Sequence, residues 1–247
     1  MCTPYENREG WIVCVTKFKN TYYMCEFETD KRVKDRERET ERQKEMSFWG
    51  FKFEQYLTAG DRHMKPDTSK PVNNNEAYCT VVRTSLASHS LLFAGEVDCL
   101  DAKSSAPKPG CYVELKTSRM IEHQGHDRSF KKFKLIKWWL QSFLVGIPRI
   151  ICGFRTDEGV VTSLQEYGVA DIPKIIRSLG YLAWHPTACV NFCDHFLTFV
   201  KTVVVEDDSS VIYKFEWSAQ QFALRWEKLH QPSSFGFLPD WYIGLQH

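Results

Sequence analysis

The feature that most constrains this chain is a pair of short apolar segments, each with charged residues at alternate positions. Residues 91–99 and 111–117 are rich in apolar residues, and a loop rich in Ser, Pro, Lys and Gly separates them. Such runs are typical of β-strands, in which successive side chains point to opposite faces of the sheet. Glu96 and Asp98 therefore share one face of the first predicted strand.

The second predicted strand presents Glu114 and Lys116 on one face, while Val113 and Leu115 point to the opposite, apolar face. If the two strands pair across the loop, their carboxylates and the ammonium converge. Carboxylates that pack together repel one another and need a neutralising charge. A divalent cation supplies that charge, and oxygen ligands with few His or Cys residues nearby favour Mg²⁺ or Mn²⁺ over Zn²⁺.

Strand and helix patterns alternate along the rest of the chain. The predicted strands are 11–18, 21–27, 77–83, 147–154, 160–163, 211–217 and 222–226, and the predicted helices are 127–145, 171–179 and 187–205. No linker, internal repeat or Gly-rich phosphate loop interrupts this pattern. We therefore expect one α/β (α+β) domain over residues 1–247, with mixed central β-sheets flanked by helices.

Charge and cysteine content narrow the class of protein. Lys and Arg number 32 and Asp and Glu number 31, so no overall field attracts the chain to a polyanion, and any such site must be local. Nine Cys residues and a start without a basic and then apolar run indicate free thiols in a reducing compartment. No stretch approaches the roughly 18 apolar residues that span a membrane, so we expect no membrane association.

The predicted helix 127–145 offers a candidate RNA-binding surface. Lys134, Lys137, Trp138 and Gln141 recur at spacings of three, four and seven residues and so share one helix face. Lysines and an amide can hold a phosphate backbone, and an indole can stack on a base. The alternative for Trp138 is packing in the core.

Motifs in chain order identify a family. They are Gly50-x-Lys52-Phe53-Glu54, Gly95-Glu96-Val97-Asp98, Val113-Glu114-Leu115-Lys116-Thr117, Lys134-Leu135-Ile136-Lys137-Trp138-Trp139-Leu140-Gln141, Cys152-Gly153-Phe154-Arg155 and Phe237-Leu238-Pro239-x-Trp241-Tyr242. With these motifs the chain resembles the DXO/Dom3Z-type decapping exoribonucleases over essentially its whole length. The resemblance implies the nuclease core of the PD-(D/E)xK superfamily.

The resemblance also implies a function. Members of this family are metal-dependent hydrolases that remove incomplete caps, NAD caps or pyrophosphate from RNA 5′ ends, and many then degrade the RNA from 5′ to 3′. RNA 5′ ends are therefore the expected substrate, and a 5′→3′ exoribonuclease is a candidate protein partner. The expected location is the nucleus, with the cytoplasm as an alternative. The preferred 5′ end depends on pocket shape, which the sequence leaves open.

The resemblance further implies roles for single residues. The implied metal ligands, for two cations of Mg²⁺ or Mn²⁺, are Glu54, Asp98, Glu114 and the carbonyl of Leu115. Glu96 would act mainly through metal-bound water. Lys116 and Gln141 would lie against the scissile phosphate and the nucleophile.

One part of the family pattern is missing. The family's first motif places an arginine a few residues before the segment Thr3-Pro4-Tyr5-Glu6, whereas this chain begins at Met1. A true absence, a wrong start and a truncation are all open, and we expect full RNA binding to depend on this segment.

Two alternatives from other classes stay open. One is a DNA nuclease of the wider PD-(D/E)xK superfamily. The other is a non-catalytic adaptor that binds a 5′→3′ exoribonuclease, although the intact acids argue against it because an adaptor has no need of carboxylates held in mutual repulsion.

Overall fold

The computed structural model of the chain describes residues 3–61 and 63–245. Its strands are β1 Trp11–Phe18, β2 Thr21–Phe27, β3 Cys79–Leu86, β4 His89–Glu96, β5 Cys99–Leu100, β6 Tyr112–Arg119, β7 Arg149–Arg155, β8 Val161–Gly168, β9 Val211–Ser218 and β10 Ala223–His230. Its α-helices are α1 Asp30–Glu37, α2 Glu41–Leu57, α3 Gln124–Ser129, α4 Leu135–Val145, α5 Ile172–Ile175, α6 Pro186–Val203 and α7 Asp240–Leu245. The expected α/β class, with several sheets flanked by helices, is confirmed.

The chain divides into two compact units. We call them the terminal unit, Met1–Glu39 with Thr187–His247, and the central unit, Thr40–Pro186. The expectation of one domain over residues 1–247 stays a prediction. Within the described ranges, no helix is both long enough and apolar enough to cross a membrane.

The terminal unit is built on a four-stranded antiparallel sheet in the order β10-β9-β1-β2. β1 and β2 form a hairpin whose turn residues Lys19 and Asn20 both have positive φ angles, 47° and 58°. Positive φ at both positions matches the twist of a two-residue hairpin. α6 packs on this sheet, where Val15, Val200 and Phe215 are buried in one cluster. The strands and the helix predicted for this unit are therefore present.

The central unit contains a four-stranded sheet, β5-β6-β7-β8, and a separate hairpin of β3 and β4. β6 and β7 are parallel, so the helices between them form the crossover that a parallel pair requires. Phe53 of α2 is buried with Val113 and Leu115 of β6. Gly153 of β7 makes room for it, because a Cβ there would lie 2.6 Å from the Phe53 ring. This packing brings Glu54, the next residue of α2, to the sheet.

The strand predicted over 91–99 is wrong at its end. β4 stops at Glu96 and pairs with β3. The chain then forms β5, and the two residues of this short strand pair with β6. Between them Val97 is buried in a cluster with Tyr112, Val145 and Ile147, which anchors the chain where it passes from one sheet to the other.

The helix predicted over 127–145 is also different in detail. It begins at Gln124 and contains a π-helical turn at Phe130–Lys134 before α4. Such turns are rare and are often found near functional sites. Gly146 ends α4 in the left-handed conformation, with φ 84°, which glycine adopts at little cost.

Candidate active site

The candidate site is centred on β6. The Lys116 ammonium forms an ion pair with Glu114 Oε1, so the two side chains share a face as the strand alternation predicts. Glu114 is 0% exposed and Lys116 is 23% exposed. Leu115, between them, packs with Phe53 in the core. β6 therefore carries a carboxylate into the interior.

Asp98 joins this pair from the connection between β4 and β5. Its Oδ2 accepts a hydrogen bond from the Leu115 N–H at 2.6 Å and lies 4.0 Å from Lys116 Nζ. Its side chain is only 7% exposed. The expected convergence of Asp98 with Glu114 and Lys116 is confirmed. The end of the predicted strand pairs with β6 at Cys99 and Val113, and the hydrogen bond from the Leu115 N–H fixes the preceding residue, Asp98.

Glu54 of α2 and Glu96 at the end of β4 complete the group of acids. Burial raises the pKa of Glu54 to about 7, and the negative charges of Asp98, Glu96 and Glu114 act in the same direction, while Lys116 opposes them. The carboxylates therefore lie close enough for their charges to interact. We call Glu54, Glu96, Asp98 and Glu114 the acid cluster.

Charges in the acid cluster are poorly compensated. Burial raises the pKa of Glu114, and Lys116 only partly offsets this. Burial lowers the pKa of Lys116, but the charges of Glu114 and Asp98 outweigh it and leave that pKa raised. Within residues 3–61 and 63–245, Glu114 Oε1 is paired with the Lys116 ammonium, while Oε2 has no hydrogen-bond partner. Buried carboxylates normally have such partners.

These donors fit a divalent cation. Glu54, Asp98, Glu114 and the Leu115 carbonyl offer only oxygen atoms, the ligands that Mg²⁺ and Mn²⁺ prefer. Among the side chains that the structure describes, however, no three His, Cys, Asp or Glu residues already stand in metal-binding geometry. The Lys116 ammonium lies between Glu114 and Asp98, so a cation that used both carboxylates would require it to move.

The predicted RNA-binding face of α4 is present only in part. Lys137 and Gln141 are exposed, and Lys134 Nζ donates a hydrogen bond to Ser118 Oγ of β6 at 3.1 Å. Trp138 is 8% exposed, and its ring packs edge-to-face against Phe130 at 5.2 Å. The expectation that Trp138 stacks on a base is therefore corrected: it is a core residue, because α4 is covered on most of its circumference.

Sequence reasoning missed a groove along α2 and β8. It encloses about 730 Å³, with Trp49 and Tyr56 among its lining residues. The guanidinium groups of Arg42 and Arg155 lie 4.7 Å and 4.4 Å from the Trp49 ring. Arg42, Trp49 and Tyr56 recur every seven residues, which places them on one face of a helix. That spacing is the sequence feature from which this side of the groove could have been predicted.

The departure from the family pattern at Met1 lies outside the described residues. From Thr3 onward the chain is anchored, because Thr3 is buried and its Oγ1 accepts a hydrogen bond from Trp11 Nε1 at 3.0 Å.

Comparison with known proteins agrees with the motifs. The sequence model of a family described as RAI1 like PD-(D/E)XK nuclease matches residues 1–243. The chain is similar to the Decapping and exoribonuclease protein of Xenopus laevis, with 43% identity over 245 residues, and to that of Homo sapiens, with 41% identity over 244 residues. Each alignment covers 98% of this chain. The resemblance that the motifs indicate is confirmed.

A solved structure shows the same fold. The crystal structure of S. pombe Rai1 in complex with 3′-FADP is similar with a TM-score of 0.72 and 30% identity, covering 92% of this chain and 67% of that one. The chain spans only 60% and 61% of the length of the Xenopus and human relatives.

Proposed function

The chain belongs to the family of RAI1-like PD-(D/E)XK nucleases, and on this premise we propose that it is a metal-dependent hydrolase of RNA 5′ ends. It removes incomplete caps, NAD caps or 5′ pyrophosphate and then degrades RNA from 5′ to 3′. The name shared by the Xenopus and human relatives, Decapping and exoribonuclease protein, supports this activity. The 3′-FADP bound to S. pombe Rai1 supports a cleft that accepts nucleotides.

The observation that carries the proposal is the state of Glu114. It is completely buried, its Oε2 has no hydrogen-bond partner among the described residues, and Asp98 and Glu96 add to the negative charge around it. An arrangement that costs the fold stability in this way is typical of sites kept for chemistry.

The acid cluster is the proposed cation site. When bound, Mg²⁺ or Mn²⁺ polarises a water and offsets charge on the leaving oxygen, and we propose two such cations. The residues that would hold them are Glu54, Asp98, Glu114 and the carbonyl of Leu115. The Leu115 N–H fixes one oxygen of Asp98, so this carboxylate is oriented before any ligand arrives.

Other residues of the site act on the substrate or on the water around it. The Lys116 ammonium, already beside two carboxylates, binds a phosphate oxygen and stabilises the negative charge that develops there. The exposed amide of Gln141 orients the attacking water. Glu96, on the exposed face of β4, acts on the site through water.

The RNA backbone is held by the lysines near the start of α4, of which Lys134 and Lys137 are exposed members of the predicted face. The formal net charge is only +1, so this local cluster supplies the attraction. We further propose a nuclear location and a 5′→3′ exoribonuclease as a protein partner.

The test is hydrolysis of 5′-end-labelled RNAs that differ only in their 5′ end: an unmethylated cap, an NAD cap, a triphosphate and a monophosphate. Each RNA is incubated with the chain and Mg²⁺ or Mn²⁺, and a DNA of the same sequence is run beside them. We expect release of cap or pyrophosphate products, with the activity lost in Glu54→Gln. Glu41→Gln is the matched control, because Glu41 lies on the same helix and its side chain is 90% exposed.

The outcomes separate the alternatives. Equal digestion of DNA and RNA would favour the DNA nuclease. No hydrolysis of any substrate, together with binding to a 5′→3′ exoribonuclease, would favour the adaptor. Full activity in excess EDTA would contradict the metal-dependent mechanism.

A further inference from the structure

Two cysteines of the terminal unit lie directly opposite each other in the antiparallel sheet. Cys14 of β1 and Cys25 of β2 are register partners, and both are free thiols. Opposite residues in an antiparallel pair point to the same face, with Cα atoms about 4.5–5.5 Å apart. A disulfide needs about 4.4–6.8 Å between Cα atoms. We propose that Cys14 and Cys25 form a peroxide-sensitive redox pair that closes a cross-strand disulfide.

The two thiols differ in access to solvent. Cys14 is 0% exposed and packs with Ile12 and Ile212, whereas Cys25 is half-buried. Burial raises the pKa of Cys14 to about 12, so it remains a protonated thiol while the protein is reduced. Peroxide therefore reacts first at Cys25, and Cys14 is the resolving partner.

A neighbouring strand places a positive charge beside Cys14. Lys214 of β9 lies opposite Cys14, and Glu227 of β10 lies opposite Lys214, so one row crosses all four strands of the sheet. Lys214 opposes the effect of burial on the pKa of Cys14, because its positive charge favours the thiolate. The row thus places a cation where the Cys14 thiolate must form.

The chemistry balances with hydrogen peroxide as the only added oxidant. The Cys25 thiolate attacks one peroxide oxygen, an S–O bond forms, the O–O bond breaks, and hydroxide leaves and is protonated to water. The Cys14 sulfur then attacks the sulfenic acid, the S–S bond forms, and hydroxide leaves with the proton of Cys14 as a second water. Two thiols are oxidised and one peroxide is reduced to two waters.

Geometry predicts that this disulfide is easily reduced. Opposite Cβ atoms in a sheet are about 4.5–5.5 Å apart, whereas a relaxed disulfide has about 3.8 Å. Closing the bond therefore strains the sheet, and strained disulfides are the labile ones. Cys189 and Cys193 of α6 provide an internal comparison. Residues four apart on a helix have Cβ atoms about 5–6 Å apart, so this pair is less suited to a disulfide than Cys14 and Cys25.

The experiment is peroxide titration of the reduced, folded full chain, followed by alkylation of free thiols, proteolysis and mass spectrometry without reductant. We expect a peptide pair linked through Cys14 and Cys25, at least about tenfold more abundant than the Cys189–Cys193 pair, because cross-strand register partners come within the distance that a disulfide requires. Dithiothreitol should release it. Cys25→Ser should abolish it, and Cys193→Ser, the control, should leave it unchanged.

A second variant keeps the proposal falsifiable if one substitution disturbs the fold. Cys14→Ser should leave Cys25 as a sulfenic acid that a dimedone probe captures, while the wild type loses this adduct as the disulfide closes. Oxidation of Cys25 to sulfinic acid in the wild type without any link to Cys14 would overturn the proposal. An equal yield of Cys189–Cys193 links would overturn it as well.

Discussion

Two strand lysines show that one charge pattern can have different consequences. Lys214 of β9 is two residues from Glu216, and Lys116 of β6 is two residues from Glu114, with a buried apolar residue inside each pair. Lys214 also donates a hydrogen bond to Glu227 at 3.0 Å. Glu216 and Glu227 are 54% and 57% exposed, whereas Glu114 is 0% exposed.

The lysine pairs of β9 and β6 differ in how far their carboxylates are exposed to water. Burial lowers the pKa of each lysine, and the neighbouring carboxylates outweigh it in both cases. On β9 water solvates the acids, and such exposed pairs contribute about 0–1 kcal/mol. On β6 the Glu114 carboxylate is removed from water and its pKa is raised by that burial. A Glu and a Lys two residues apart on a strand therefore indicate a site only where the fold also excludes water.

The largest expected effect is on hydrolysis. Glu114→Gln should lower kcat/KM on a 5′-labelled RNA by at least about a hundredfold, the usual scale for losing one group at a reacting centre. Glu216→Gln should leave it within about twofold, because its side chain is 54% exposed and substitutions of such surface charges usually have small effects. Circular dichroism checks that both variants are folded. Equal losses in the two variants would contradict the difference between the strands.

The next effect concerns cation affinity. Lys116 competes with a divalent cation for Glu114 and Asp98, so Lys116→Gln should bind Mn²⁺ about tenfold more tightly, although it no longer hydrolyses RNA. Lys214→Gln is the control and should not change the affinity. Calorimetric titration measures both. Unchanged or weaker Mn²⁺ binding in Lys116→Gln would mean that the ammonium is not the counter-ion of the site.

A smaller effect concerns stability against pH. The pKa of Glu54 is raised from 4.5 to about 7 in the folded chain, so the folded state takes up a proton more readily than the unfolded state. Stability of the metal-free chain should therefore rise as pH falls from about 7 towards 4.5. Above pH 7, Glu54→Gln should melt about 2–4 °C higher than the wild type. The two melting temperatures should converge near pH 4.5.

Thermal melts in EDTA measure this difference at each pH. Glu41→Gln, at the exposed start of the same helix, should follow the wild type throughout. If the difference in melting temperature between the wild type and Glu54→Gln is the same at every pH, the substitution acts through packing and not through the charge.

The smallest effect concerns salt. Replacing Lys132 and Lys137 by Gln should reduce the slope of log K against log salt for single-stranded RNA by roughly 0.7 per lost phosphate contact. The matched pair Lys31 and Lys34, on α1 of the terminal unit, should change neither slope nor affinity when replaced. Filter binding over a salt series measures the slope. An unchanged slope in the first variant would mean that RNA follows another surface.

The alternation of strands and the periodicity of helices predicted which side chains share a face. They did not predict how much of α4 is exposed, because that helix is buried on more than one face. The strand alternation correctly put Glu114 and Lys116 on one side of β6. The helix periodicity correctly left Lys137 and Gln141 exposed. The same periodicity assigned Trp138 to that face, yet it is buried, because periodicity identifies a shared face but not how wide the covered part of a helix is.

The position of Asp98 shows a second kind of failure. Its approach to β6 was expected from pairing along the whole predicted strand 91–99, but β4 pairs with β3, and only the end of the predicted strand, at Cys99, pairs with β6. Asp98, just before β5, is then fixed in the site by a hydrogen bond from the Leu115 N–H. The sequence identified the correct carboxylate, while the contact that holds it depends on where the chain leaves one sheet for the other.

By itself, the sequence determined what backbone stereochemistry controls: which side chains share a face of β6, where oxygen donors gather along the chain, and which family the motifs resemble. Only the tertiary structure decided how much water surrounds those donors. The buried state of Glu114 and the raised pKa of Glu54 arise from segments distant in sequence that pack together and exclude solvent. Desolvation is a property of the whole packed environment, so a single strand or helix cannot specify it.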